Sequence, residues 1–281
     1  MRLRDYHSSS APPGESTRFG LKARIAAVGL LLVFLLGAGF AFFIKGESRL
    51  VPTDSATLCP TRRPPSEIVV ILLDVSDQFS EPQRLQIQHH LARIRDSIPR
   101  FGLVEVYTVD RLGRRVTEHE THLCNPGAGD DLSQIYQNPE LARKKWRGFA
   151  TKLTGDIDRL ISAPRMSTSP IFEAIQATSL RTFGKPEYDG LPKRLVIVSD
   201  LMQNLPGGLS MYRALPAFRK FKNTAYFSRV RSDLDGVSVL MFYLIRSTAP
   251  KQTPEHLEFW RDYFRFQGAE IESVDKVFGD K

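Results

Sequence analysis

The chain moves between three hydrophobic patterns. Residues Ile25 to Ile44, IAAVGLLLVFLLGAGFAFFI, are apolar throughout and carry no charge. Glu67–Leu73, Arg194–Ser199 and Gly236–Ile245 are short, almost wholly apolar runs, the pattern of strands buried on both faces. Between them the spacing is helical. Leu85, Ile87, Leu91, Ile94 and Ile98 approximate one face of a helix over 81–98, with Ser80 as N-cap, Pro82 in the first turn and Pro99 as the stop. Leu103–Val109 alternates as a strand, and a Gly turn at 111–114 returns 115–123 as its antiparallel partner. Further helices are expected over 138–161, broken near Gly148 or Gly155, over 171–183 after Ser169 and Pro170, over 209–221 and over 254–266. A short strand, 269–274, closes the chain. Strands alternating with helices, several of them apolar on both faces, predict an α/β fold: a doubly wound, mostly parallel, Rossmann-like sheet with helices on both faces.

The first pattern calls for a different environment. Twenty apolar residues at about 1.5 Å each match a hydrocarbon core of about 30 Å, so 25–44 reads as a transmembrane helix ahead of the sheet. A cleaved signal peptide would have a shorter apolar core and a small-residue cleavage site after it, whereas Phe42, Phe43 and Ile44 run directly into Lys45. Before the run stand Arg2, Arg4, Arg18, Lys22 and Arg24 against Asp5 and Glu15, which is +3 of the chain's +8. Only Lys45 and Arg49 follow closely, and that asymmetry places the N-terminus in the cytoplasm. The expected organisation of the 281 residues is a disordered tail 1–24, the membrane helix 25–44, a Pro-containing linker 45–65 and a domain 66–281. The protein is then a single-pass inner (plasma) membrane protein with a periplasmic or extracellular domain. The remaining positive charge, densest at Arg143, Lys144, Lys145 and Arg147, fits a solvated or membrane-facing surface, and no nucleic-acid partner is expected.

Candidate chemistry gathers where apolar strands end. Asp74 and Asp200 are each the first acid after such a strand, and ligands of open α/β sheets bind beyond the strands' carboxyl ends. Ser76 follows Asp74, and Ser167, Thr168 and Ser169 precede a helix on the same edge. Carboxylates and hydroxyls without histidine or cysteine make a hard oxygen set, suited to Mg²⁺ or Mn²⁺. Capping of the following helix by Asp77 or Ser80 needs no metal, and hydrogen bonding of Asp200 to loop amides is the corresponding alternative.

Three of these stretches, in order, resemble the von Willebrand factor type A domain family and its metal-ion-dependent adhesion site. They are DVSDQ at Asp74–Gln78, SPIFEAI from Ser169, and IVSDLMQN around Asp200. The resemblance covers about 66–274, including an antiparallel third strand. It implies metal ligation by Asp74, Ser76, Ser169 and Asp200, with an acidic residue of a protein partner completing the site. Gln78 stands where the family's second serine is expected and offers only a carbonyl on a longer arm.

Cys59 precedes the first strand, and Cys124 follows a strand returning to the same edge. In an oxidising compartment the two cysteines favour a disulfide. The leading functional expectation is a membrane-anchored interaction module rather than an enzyme. A Mg²⁺-dependent phosphoryl hydrolase and a scaffold with a vestigial site are the alternatives. Ser76 occupies the position where a haloacid-dehalogenase-like hydrolase needs its second acid, and no Gly-rich phosphate loop, GxSxG or HExxH is present.

Overall fold

The computed structural model describes residues 16–47, 51–110, 120–129, 139–162, 167–246 and 251–279. The chain forms two compact units, Met1–Leu50 and Val51–Lys281.

The first unit contains one helix, α1 (Ser16–Glu47), which takes in the whole apolar run. Its described large apolar side chains, from Ile25 to Leu36, are 54–74% exposed. Side chains of this helix are described at 20, 24–26 and 28–39 only. Among the described residues no helix is long and apolar enough to cross a membrane.

In the second unit a six-stranded sheet has the order β3-β2-β1-β4-β5-β6. The strands are β1 (Ile68–Leu73), β2 (Leu103–Thr108), β3 (Thr121–Cys124), β4 (Lys193–Ser199), β5 (Val237–Leu244) and β6 (Glu270–Val277). Every neighbouring pair is parallel except β2 with β3. Alternation along β1 divides the core. Ile68, Val70 and Leu72 pack with Phe172 of α4 (Ile171–Thr178) and Trp260 and Tyr263 of α7 (Pro254–Phe266). Val69, Ile71 and Leu73 pack with Ile87 and Leu91 of α2 (Glu81–Ser97) and Phe149 and Leu153 of α3 (Pro139–Ile161). Because both faces are covered, β1 has no polar face, which is why its sequence lacks alternation.

Several expectations change. Helix α3 runs unbroken through Gly148 and Gly155, because both glycines face solvent while Phe149, Leu153, Ile157 and Leu160 form a buried stripe at helical spacing. The helix expected over 209–221 does not form. Pro206, Gly207, Gly208 and Pro216 break the segment, and only α5 (Phe218–Phe221) and α6 (Ala225–Val230) are helical. The helix at 171–183 is α-helical to Thr178 and continues as a π-turn, Ser179–Phe183. The antiparallel partner of β2 is Thr121–Cys124, while 111–119 lie outside the described residues. The folded unit also begins before Ser66. Asp54 Oδ1 accepts from Ala56 N and Thr57 N at 3.0 and 2.7 Å, Thr57 O accepts from Cys124 N at 2.8 Å, and Cys59 and Cys124 form a disulfide.

Candidate functional site

Because β1 and β4 are parallel neighbours, their ends lie side by side. Leu73 pairs with Val198, and Asp74 N donates to Val198 O at 2.9 Å, so Asp74 extends the ladder by one residue. Its side chain collects three donors. Ser76 N reaches Oδ1 at 3.1 Å, and the hydroxyls of Ser169 and Ser199 both reach Oδ2 at 2.7 Å. Ser169, which resembled a helix cap by sequence, therefore leaves α4 without a side-chain cap and bonds across the sheet edge instead. Capping of α2 falls to Ser80, whose hydroxyl accepts from Gln83 N while Gln83 Oε1 accepts from Ser80 N. Asp74 is thus free of capping duty.

Asp200 is 2% exposed. Its Oδ1 accepts from Met202 N at 2.8 Å, and its Oδ2 accepts from Tyr212 OH at 3.5 Å. Arg246 Nε stands 3.9 Å from Oδ2, within ion-pair reach. Among the described residues, however, that N–H is buried without a hydrogen-bond partner. Burial first, then the Asp74 carboxylate, push the Asp200 carboxyl up to about 7 despite Met202 N and Arg246. The guanidinium therefore offsets only part of the negative charge here. Arg246 is held elsewhere, its Nη1 donating to Gln78 O at 2.6 Å and to Gln83 Oε1 at 3.1 Å.

Leu201, directly after Asp200, has φ +59°, a left-handed conformation that costs a branched side chain about 1 kcal/mol or more. Three contacts hold it there. Leu201 N donates to Ser199 Oγ at 2.8 Å, and Leu201 O accepts from His256 Nε2 at 3.0 Å and Trp260 Nε1 at 2.9 Å. A carbonyl only accepts, so His256 carries its proton on Nε2, leaving Nδ1 to accept from Tyr243 OH at 2.8 Å. Burial pushes this imidazole down to about 4, which keeps it neutral.

Of the four residues expected at the site, Asp74 and Ser169 are in direct contact, Ser76 joins through its backbone, and Asp200 couples electrostatically to Asp74. The sequence reading missed Ser199, Arg246 and Asp110, whose Oδ1 accepts at 2.6 Å from Thr168, a hydroxyl the reading did place near this edge. Arg246 could have been found by the rule that found Asp200: it is the first charged residue after the apolar β5. Ser199 is the lone hydroxyl among the buried residues of β4. Among the described residues no three His, Cys, Asp or Glu side chains are arranged to hold a metal. A cation here would rest on two carboxylates and the hydroxyls of Ser76 and Ser169. That hard oxygen set, whose two carboxylates oppose each other and are only partly offset by Arg246, fits Mg²⁺ or Mn²⁺.

No protein-family model matches the chain, and no curated protein matches it. Among solved structures it is similar to a conserved hypothetical protein, BatB, from Bacteroides thetaiotaomicron. That match has 15% identity and a TM-score of 0.33, covering 76% of this chain and 91% of the other. It is also similar to an aerotolerance-related membrane protein from Bacteroides fragilis, with 14% identity and a TM-score of 0.31, covering 75% and 90%. Likeness at this level assigns neither family nor function.

Proposed function

We propose that this is a membrane-anchored interaction module of the von Willebrand factor type A kind, which captures a protein partner through the rim bearing Asp74, Ser76, Ser169 and Asp200. The observation that carries the reading is the junction of three separate chain segments on one buried carboxylate, with Ser76 N, Ser169 Oγ and Ser199 Oγ all bonded to Asp74. The Ser76 and Asp77 side chains, both partly exposed, lie next to it on the solvent side. Anchoring rests on the uncharged run 25–44. The Cys59–Cys124 disulfide supports an oxidising compartment, with the N-terminus cytoplasmic and the domain periplasmic or extracellular. A divalent cation, Mg²⁺ or Mn²⁺, would be held by Asp74, Ser76, Ser169 and Asp200 and would supply the positive charge that an acidic partner residue needs.

A phosphoryl hydrolase would use Asp74 as nucleophile. Two hydroxyls and an amide already bond its oxygens, which lowers their nucleophilicity and favours binding over turnover. The test is capture from membranes with and without Mg²⁺. Partner recovery is expected to fall with chelator and in Asp74→Ala. Equal recovery in all three conditions would sink the metal-dependent version, and phosphatase turnover lost in Asp74→Asn would replace binding with catalysis.

A further inference from the structure

Between Leu201 and Ser232 the chain contains no aspartate or glutamate, yet it carries Arg213, Arg219, Lys220, Lys222, Arg229 and Arg231. This is the stretch where the expected helix fails to form. It folds around two adjoining cavities of about 430 and about 290 Å³, which share Gly207, Gly208, Tyr226 and Arg229. Such volumes lie at the small end of ligand sites. The smaller cavity is lined by Leu209, Pro216 and Phe221, with Lys220 beside them. The larger is flanked by Arg181, whose Nη1 is buried without a hydrogen-bond partner among the described residues. Arg229 lies over the Tyr226 ring, 5.6 Å from its centre. The acid lining the larger cavity, Glu173, is already engaged by Tyr226 OH at 2.7 Å and Gln203 Nε2 at 3.2 Å.

The glycines keep the groove open. Gly207 has φ +75°, and a Cβ on Gly208 would come within 3.2 Å of both Leu205 and Tyr226. The groove also adjoins the carboxylate rim. Asn204, at the start of its loop, exchanges two backbone hydrogen bonds with Ser169, both 2.9 Å.

We propose that this groove docks an acidic peptide segment of a partner protein, placing an apolar side chain in the smaller cavity and carboxylates against Lys220, Arg229 and Arg181. The proposal rests on the interaction reading of the rim and names the partner's chemistry. Charge complementarity selects the acid. Concavity selects a peptide over a lipid surface, because a flat array of headgroups gains nothing from two recesses, the smaller lined by apolar side chains.

The test uses the full chain in neutral phosphatidylcholine nanodiscs and fluorescence anisotropy. One labelled probe is an octapeptide alternating aspartate with phenylalanine, and the other alternates lysine with phenylalanine. The acidic probe is expected to bind at least about tenfold tighter. Lys220→Glu/Arg229→Glu should weaken it by about tenfold, and the neutral pair Lys220→Ala/Arg229→Ala by less. All four changes are at exposed positions, so the fold is expected to survive. Lys144→Glu/Lys145→Glu, the same charge change on exposed positions of α3, should leave binding within about twofold. Equal weakening by the two charge-reversed pairs would reduce the effect to net charge and overturn the groove. Displacement of the probe by phosphatidylglycerol vesicles as effectively as by unlabelled peptide would assign the cations to lipid and also overturn it. Asp74→Ala separates the two readings. Retained probe binding upholds the groove whatever becomes of the metal, while loss in Asp74→Ala with Lys220→Glu/Arg229→Glu unaffected moves docking to the carboxylates and overturns it.

Discussion

After β1 the chain uses seven residues, Asp74–Ser80, to reach its next helix; after β4 it uses eighteen, Asp200–Ala217. The first loop is closed by local chemistry, since Ser80 and Gln83 satisfy each other's backbone and Pro82 stands in the first turn. The second is shaped by distant groups. His256 and Trp260 grip the carbonyl of a left-handed Leu201, and Ser169 pairs with Asn204. Both loops deliver an acid to the same edge, and Asp74 itself is held across the sheet by Ser169 and Ser199 and Gln78 O by Arg246. The end of the first loop that enters its helix, however, is closed by neighbours in sequence, whereas the second is shaped by neighbours in space. Substitutions should therefore act locally at the helix-capping end of the first loop, and propagate from Asp74 and from the second loop.

The largest effect is expected where the two loops meet. Asp74→Ala strips Ser76 N, Ser169 Oγ and Ser199 Oγ of their acceptor, two of them hydroxyls in a buried setting. Hydrogen bonds to a charged group contribute about 1.5–3 kcal/mol each and are not additive, so the expected loss is about 3 kcal/mol. Urea unfolding of the full chain in detergent, followed by tryptophan fluorescence, measures it. A loss below about 1 kcal/mol would mean that the three donors find other acceptors and that Asp74 does not join the loops.

Next comes the distant grip. His256→Phe removes the donor to Leu201 O and leaves Tyr243 OH buried without its acceptor, an expected cost of about 2 kcal/mol. The wild-type residue also predicts a pH dependence. Its folded pKa of about 4 lies below the ordinary histidine value of 6.5, so the unfolded chain takes up the proton first. The contribution of neutral His256 is intact above about 6.5 and is lost as pH falls toward 4. Unfolding midpoints at pH 7 and pH 4.5 should diverge in the wild type and converge partly in His256→Phe. Equal divergence in both would assign the acid sensitivity to other groups.

The same contrast explains what was legible in the sequence. Asp74, Ser80, Pro82 and the apolar β1 were readable because their signals lie within a few residues of one another. Asp200 was readable from its position after a buried strand, and the cysteine pairing from the edge at which the first strand begins and the antiparallel strand before Cys124 ends. The segment 209–221 was not, because its apolar residues suggested a helix while Gly207, Gly208 and Pro216 and the contacts around Tyr226 decided otherwise. Ser169 carried a helix-start signal that was correct for the position and wrong for the role, since its hydroxyl serves Asp74. Arg246 follows β5 as Asp200 follows β4, but a cation does not fit an oxygen-ligand set, and its partners Gln78 O and Asp200 lie far away in sequence, in the two loops being compared.

The smallest expected effect tests the local side. Ser80→Ala removes one half of the capping box and leaves Gln83 with its bonds to Ile245 O and Arg246. Loss of a serine N-cap costs about 1 kcal/mol. Because the lost contacts lie within the loop and the first turn of α2, the pH dependence attributed to His256 should be unchanged. Hydrogen exchange should rise at the first amides of α2 and stay level at Leu201 and Met202. Faster exchange at Leu201 would show that Arg246, bonded to Gln83 on one side and near Asp200 on the other, transmits the disturbance across the edge. The division between a locally and a distantly held loop would then fail at that side chain.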